Sequence, residues 1–128
     1  MEWNIFSRSC PSRTSLAQIA NKWTAMIVIS LVSGPKRFGE LHSHVEGISK
    51  KVLTDTLRAL ERDGMLERSE GRYALTPLGE SLEEPLRALQ TWAESHIEVV
   101  LENRDRYDAA EDDAILGADP RAGVNSAA

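Results

Sequence analysis

Residues 49–58 gather cationic, hydroxyl and acidic side chains at helical spacing: Ser49, Lys50, Lys51, Thr54, Asp55 and Arg58. Lysine and arginine there could neutralise phosphates, while Thr54, Asp55 and Arg58 offer donors and acceptors suited to base edges in a major groove. Arg58 has the fork for a two-point contact to guanine. Asp55 either accepts from a cytosine amine or simply orients Arg58. A solvated basic helix face is the plainer alternative. Lys36 and Arg37, and further on Arg68 and Arg72, add cations that would meet a phosphate backbone. Arg37 has an alternative use, pairing with Glu40 or Glu61, and the other two could be ordinary strand-edge charges.

Other chemistry is sparse. Cys10 is the single cysteine, so no internal disulfide can form. Arg8 and Arg13 lie close by in sequence and would favour a thiolate. The thiol is either a sensor of oxidants or a small buried residue at a seam between chains. His42 and His44, two apart on a short helix, point away from each other and lack a third ligand, so no metal is expected. There is no phosphate-binding glycine loop and no His partner evident for Cys10, and the carboxylates fall in solvated helical runs. We therefore expect no enzyme and no cofactor.

The elements that must position these residues follow from periodicity and punctuation. Leu16, Ile19, Ala20, Trp23, Ile27 and Leu31 recur at helical spacing over residues 15–33, with Ser15 as N-cap, a break near Asn21 and Gly34-Pro35 as the stop. A strand over residues 25–32 is the competing reading. Phe38, Leu41 and Val45 mark a brief helix over residues 36–45. After the turn at Glu46-Gly47, Ser49 caps a second helix that Gly64 ends. On it Leu53, Leu57 and Leu60 form one narrow stripe, and Lys51, Asp55, Arg58 and Arg62 lie opposite. Two short strands, residues 66–69 and 72–75, flank a two-residue turn at Glu70-Gly71.

That order, a helix-turn-helix and then a small hairpin, is the winged-helix arrangement. Thr76-Pro77 opens a new helix, which Pro85 should kink or restart. Beyond it Leu86, Leu89, Ala93, His96 and Val100 recur as a two-heptad stripe, with Trp92 beside it. The stripe packs either within the chain or against a second copy, together with Trp3, Ile5 and Phe6 of the N-terminal arm. We expect the second copy, because the winged core already has its own leucines.

The expected fold is thus mainly α with a small β-hairpin wing and a C-terminal dimerisation helix. Its parts are an N-terminal arm over residues 1–14, a DNA-binding core over 15–76, dimerisation helices over 77–108, and an acidic, then disordered, tail over 109–128. The net charge of −5 over 128 residues seems to oppose nucleic acid. Divided along the chain it does not: residues 1–76 hold 11 Lys and Arg against 8 Asp and Glu (+3), and residues 77–128 hold 4 against 12 (−8). The absence of a signal-like N-terminus or an apolar run of spanning length makes a cytoplasmic chain without a membrane partner the expectation.

Several short motifs, in this order and spacing, resemble the HxlR family of winged-helix bacterial transcription regulators, relatives of the MarR-type regulators. They are Lys22-Trp23, Arg37-Phe38-x-Glu40-Leu41, Ile48-Ser49, Leu53-x-x-x-Leu57-x-x-Leu60-Glu61-x-Asp63-Gly64 and Tyr73-x-Leu75-Thr76-x-x-Gly79, within a match from Cys10 to Trp92. The resemblance implies a homodimer on a short palindromic double-stranded operator, usually repressing. In some members it also implies a response to oxidants or electrophiles through a cysteine near the N-terminus, the position Cys10 matches; a small-molecule effector is the other possibility. Family members usually carry a longer wing, whereas here Ser69, Glu70, Gly71 and Arg72 alone separate the body of the hairpin from the Tyr-x-Leu-Thr signature. Arg68 and Arg72 are then the only cations for a wing contact. A winged helix used solely for protein contacts is the alternative function.

Overall fold

The structure is a computed structural model and describes residues 2–117. The elements run α1 (Pro11–Ile19), α2 (Lys22–Val32), β1 (Lys36–Arg37), α3 (Phe38–His44), α4 (Lys50–Arg62), β2 (Leu66–Ser69), β3 (Arg72–Leu75), α5 (Pro77–Glu80) and α6 (Glu83–Gly117). They divide into two compact units, one ending at Ala88 and one beginning at Leu89.

The first unit closes around one core. Ile27, Val28 and Leu31 of α2, Leu41 of α3, and Leu53, Leu57 and Leu60 of α4 are all at most 3% exposed. The Leu53 stripe is therefore the face by which α4 is anchored, and its polar stripe is left outward. The break expected near Asn21 separates α1 from α2, and the Asn21 side chain caps α2 by accepting from the Trp23 N–H at 2.8 Å. The strand alternative fails here because residues 25–32 continue the buried helix.

Three local readings need correction. Ser15 caps nothing, because α1 already starts at Pro11, whose missing N–H suits the first helical position. Lys36 and Arg37 are not helical. After Gly34, which adopts φ +137°, they run extended and pair antiparallel with β3, Lys36 opposite Tyr73 and Arg37 opposite Arg72. The hairpin is thereby a three-stranded sheet in the order β1-β3-β2. Finally, the chain restarts before Pro85: α5 ends at Glu80, and α6 begins at Glu83 with Pro85 in its first turn, where no intrahelical N–H is required.

The turn joining β2 and β3 places Glu70 at φ 53° and Gly71 at φ 76°, the two positive angles of a tight hairpin whose twist matches the strands. Thr76 caps α5, its hydroxyl accepting from the Gly79 N–H at 3.2 Å. Gly79 is buried because α5 lies directly on the start of the hairpin: a Cβ there would sit 1.9 Å from the Met65 carbonyl oxygen.

Helix α6 continues through Gly117, so residues 109–117 are helical. The alanines at 109, 110 and 114 favour this continuation. The disorder expected at the end of the tail falls on residues 118–128, outside the described residues. Leu86, placed by the sequence at the seam between chains, is 3% exposed and belongs to the chain's own core. From Leu89 onward the second unit is helix alone, and its large apolar side chains stand exposed. No single described helix is long and apolar enough to cross a membrane.

Candidate nucleic-acid interface

Helix α4 presents the predicted recognition residues from its N-terminus onward. The Ser49 hydroxyl accepts from the Val52 N–H at 3.1 Å and fixes the first turn. Lys50 and Lys51 stand exposed beside the unpaired N–H groups of that turn, where the helix dipole already attracts an anion. Asp55 and Arg58 are exposed on the same outward stripe, and Thr54 is half-buried at its edge.

Asp55 pairs with Lys51 rather than with Arg58: Lys51 Nζ lies 2.8 Å from the Asp55 carboxylate, one helical turn apart. Lys51, bonded to it and charged beside it, holds the Asp55 carboxyl below the usual carboxylate range, with Arg58 adding a smaller pull. The sequence missed Val52, which is 36% exposed on this helix between Lys51 and Leu53. Its methyls are the kind of surface that meets a thymine methyl. The only signal was an apolar residue standing off the Leu53 stripe. Thr56, by contrast, spends its hydroxyl on the Val52 carbonyl at 2.7 Å.

The sheet gathers the remaining cations in a way the sequence concealed. Arg37 and Arg72 are direct cross-strand partners, so their side chains share one face, with Ser69 opposite Arg72 on the other neighbour. Two like charges in that position repel unless an anion joins them. Among the described residues neither guanidinium has a carboxylate partner, so the pairing of Arg37 with Glu40 or Glu61 is not made. Glu40 instead accepts from the Arg37 backbone N–H at 2.9 Å, and the Arg37 guanidinium reaches toward the hairpin turn near Gly71.

Arg68 belongs to the other face of the sheet, opposite Tyr73, with its guanidinium 5.8 Å from that ring. The two wing arginines therefore do not act as one patch. Lys36 is also engaged: its ammonium donates to the Ser30 carbonyl and, at 2.8 Å, to the Ser33 hydroxyl, closing the C-terminus of α2. The histidines of α3 go separate ways. His44 shares a 2.6 Å hydrogen bond with Ser30, and His42 stacks on Phe38.

Cys10 lies under the N-terminal arm, 8% exposed. Its sulfur is 3.0 Å from the Ser12 hydroxyl and accepts from the Asn4 N–H at 3.2 Å. The Ser12 hydrogen bond, aided by Asn4 and opposed by partial burial, holds the thiol below its ordinary value. The sequence had looked to the charges of Arg8 and Arg13; the bonds to Ser12 and to the backbone carry the effect, Arg13 entering only through its backbone N–H. On the same arm Trp3, Ile5 and Phe6 are 61%, 42% and 87% exposed.

The sequence profile of the HxlR-like helix-turn-helix matches residues 18–100. The chain belongs to the HxlR family. Over 111 residues it is 39% identical to the HTH-type transcriptional regulator YtfH of Escherichia coli (strain K12), covering 81% of this chain and 88% of the relative. Among solved structures it resembles the transcriptional regulator ytfH from Salmonella typhimurium, with a TM-score of 0.76, 37% identity, and coverage of 81% and 99% of the two chains. It also resembles quinone-bound YodB from B. subtilis, with a TM-score of 0.60, 32% identity, and coverage of 67% and 99%. The redox regulator HypR in its reduced form follows, with a TM-score of 0.63, 29% identity, and coverage of 72% and 98%. This HxlR-family chain is thus a winged-helix transcriptional regulator and not an enzyme. Its three-stranded antiparallel sheet is the wing of that fold.

Proposed function

We propose that this HxlR-family regulator binds a palindromic double-stranded operator as a homodimer in the cytoplasm and represses transcription there. The observation that carries DNA binding is the cross-strand pair Arg37 and Arg72, two cations with no carboxylate partner among the described residues. A phosphate between them turns the repulsion into two charge-assisted hydrogen bonds. Lys50 and the N-terminus of α4 take a second phosphate, Lys51 stays paired with Asp55, and Thr54, Asp55 and Arg58 meet base edges. Arg68, on the opposite face of the wing, contributes long-range attraction, and Lys36 reaches a phosphate only by giving up its bonds to α2.

One winged unit with so few free cations binds weakly, and two half-sites about 34 Å apart require a second copy. The stripe of exposed Leu89, Trp92, Ala93 and His96 and half-buried Val100, with Trp3, Ile5 and Phe6 of the arm, supplies the contact. Responsiveness to an oxidant or electrophile rests on Cys10, whose thiol is shifted toward the nucleophilic thiolate. Solved relatives include a quinone-bound regulator and a redox regulator seen reduced and oxidised. With one cysteine per chain, a disulfide would join two chains or a small thiol.

The test is fluorescence anisotropy with fragments of the adjoining promoter over a salt series. Operator binding predicts a steep salt dependence and preference for one fragment, both reduced in Arg37→Ala and Arg72→Ala chains. Binding without salt dependence or sequence preference would instead fit a protein-contact module.

A further inference from the structure

A cavity of about 550 Å³ opens where the segment before α1, α1 itself and the end of α4 come together. That volume is in the range of small-molecule sites, and none of the proposed DNA contacts lines it. Arg8, ahead of α1, and Arg62, the last residue of α4, both border the space. Among the described residues neither guanidinium forms an ion pair. The N-terminus of α1 adds to them. Cys10 at its N-cap and Pro11 at its first position line the same cavity, no side chain caps the helix, and its first turn holds no acidic residue. The positive end of that dipole is therefore left uncompensated beside two cations.

The rest of the lining narrows the kind of anion. No aromatic ring borders the cavity, so a flat acid has nothing to stack on. Thr14 and Ser15 bring hydroxyls instead, and Gln18, whose amide nitrogen turns to the Thr24 hydroxyl at 3.5 Å, keeps its carbonyl oxygen to accept. Asp63 also lines the space and is in no ion pair among the described residues. A carboxylate there accepts a hydrogen bond from a ligand hydroxyl and repels a ligand that offers only anionic oxygens. An inorganic anion would satisfy the arginines and leave Asp63 unfavourably close.

We propose that this cavity binds a small hydroxylated aliphatic dicarboxylate, with Arg8 and Arg62 each taking one carboxylate and Asp63 accepting from the hydroxyl. Guanidinium forks suit carboxylates in two-point fashion, and two of them on separate elements suit a ligand with two acid groups better than a single ion. The bound acid ties the segment before α1 to the C-terminal end of the helix whose N-terminal half carries the base-reading residues. Its occupancy and that of the operator are then coupled, each changing the other's affinity by the same factor. The coupling rests on the operator binding proposed above; occupancy of the cavity does not. Neither depends on the Cys10 thiol, which borders the space but spends its hydrogen bonds on Ser12 and the Asn4 N–H.

The experiment is titration calorimetry of the full chain with L-tartrate, L-malate, succinate and sulfate at constant ionic strength. Tartrate and malate should bind, and succinate, which lacks the hydroxyl, should bind about tenfold more weakly. Arg8→Ala and Arg62→Ala should each weaken tartrate about tenfold, and Arg62→Lys by less, because it keeps the charge and loses the fork. Both arginines are exposed, so these chains should fold as the parent does. Arg13→Ala, on α1 but outside the lining, should change nothing. Sulfate binding as well as tartrate, or an equal loss in Arg13→Ala, would reduce the cavity to a diffuse positive surface and overturn the proposal, as would no binding of any acid. If no acid binds and Arg62→Ala weakens the operator complex, Arg62 is a DNA contact instead. A Cys10→Ser chain should bind tartrate like the parent; loss of binding there would make the thiol the anchor and overturn the assignment to the arginines. Anisotropy of the operator complex with and without saturating tartrate reads the coupling, and an unmoved midpoint would overturn the coupling while leaving the ligand assignment intact.

Discussion

Replacing Asp55 by Asn tests how the recognition helix divides its charge between itself and DNA. Lys51 and Asp55 are 84% and 57% exposed and 2.8 Å apart, so each now neutralises the other on the outward face of α4. With the carboxylate gone, Lys51 is free for a phosphate and a repulsive charge is removed. One further phosphate neutralised per chain is two per dimer, which steepens the salt exponent by about 1.8 and at 0.1 M tightens non-specific binding about 60-fold relative to 1 M. Folding should hardly change, because an exposed pair one turn apart contributes little. The assay is anisotropy with a random-sequence duplex across a salt series, alongside the operator. Discrimination between the two should fall if Asp55 accepts from a base and persist if it merely restrains Lys51. An unchanged salt exponent would refute the reasoning, because Lys51 would then reach phosphate with Asp55 still present. The Asp55 carboxyl is held below the usual range, so it stays ionised down to acidic pH, and no titration of Asp55 should appear in DNA binding between about pH 6 and 8.

Three further outcomes follow from single contacts. Ser49→Ala removes the acceptor for the Val52 N–H and should cost about 1 kcal/mol in urea unfolding, with DNA binding weakened in proportion to fraying of the first turn. Gly79→Ala drives a methyl to 1.9 Å from a backbone carbonyl and should cost about 3 kcal/mol or more, whereas Gly39→Ala, with nothing within 4 Å, should not destabilise. The alkylation rate of Cys10 should rise with pH at a lower midpoint than that of free cysteine, and Ser12→Ala should move that midpoint upward; a midpoint indifferent to Ser12 would remove the hydrogen bond as its cause.

What the sequence made legible is what local signals encode. The stripe of Leu53, Leu57 and Leu60, the Ser49 cap and the Glu70-Gly71 turn each act within a few residues, and each lies where it was read. Strand β1 was not legible because two residues carry no periodicity. Its partners are 35 and 37 positions away, and pairing across the sheet, not propensity, holds it extended. The same long-range pairing brings Arg37 beside Arg72 and sends Arg68 to the opposite face, so the composition of the cationic patch depends on a register invisible from the strand alone. Leu86 was read as a seam residue because the heptad stripe runs through it, whereas it lies in the chain's own core; Lys36 turns to Ser30 and Ser33, six and three residues before it at the end of α2, a bond that its residue type does not reveal.

The overall negative charge was the least informative number in the sequence, and the helix explains why. Asp105, Asp108 and Asp112 lie 47 to 54 residues beyond Arg58 in sequence, in the unit that begins at Leu89 and holds none of the proposed DNA-contacting residues. The screening length at physiological salt is about 8 Å, so acids more than two or three such lengths from the bound duplex act on it only weakly. Replacing all three by Asn makes each chain less acidic by three charges and should leave operator affinity at 0.15 M salt within about twofold of the parent. At 0.01 M, where screening reaches about 30 Å, the same variant should bind measurably tighter. Anisotropy at the two salt concentrations separates the cases. A large gain already at 0.15 M would mean that these acids stand close to the DNA, and the division of the chain into a basic reading half and a remote acidic half would fail.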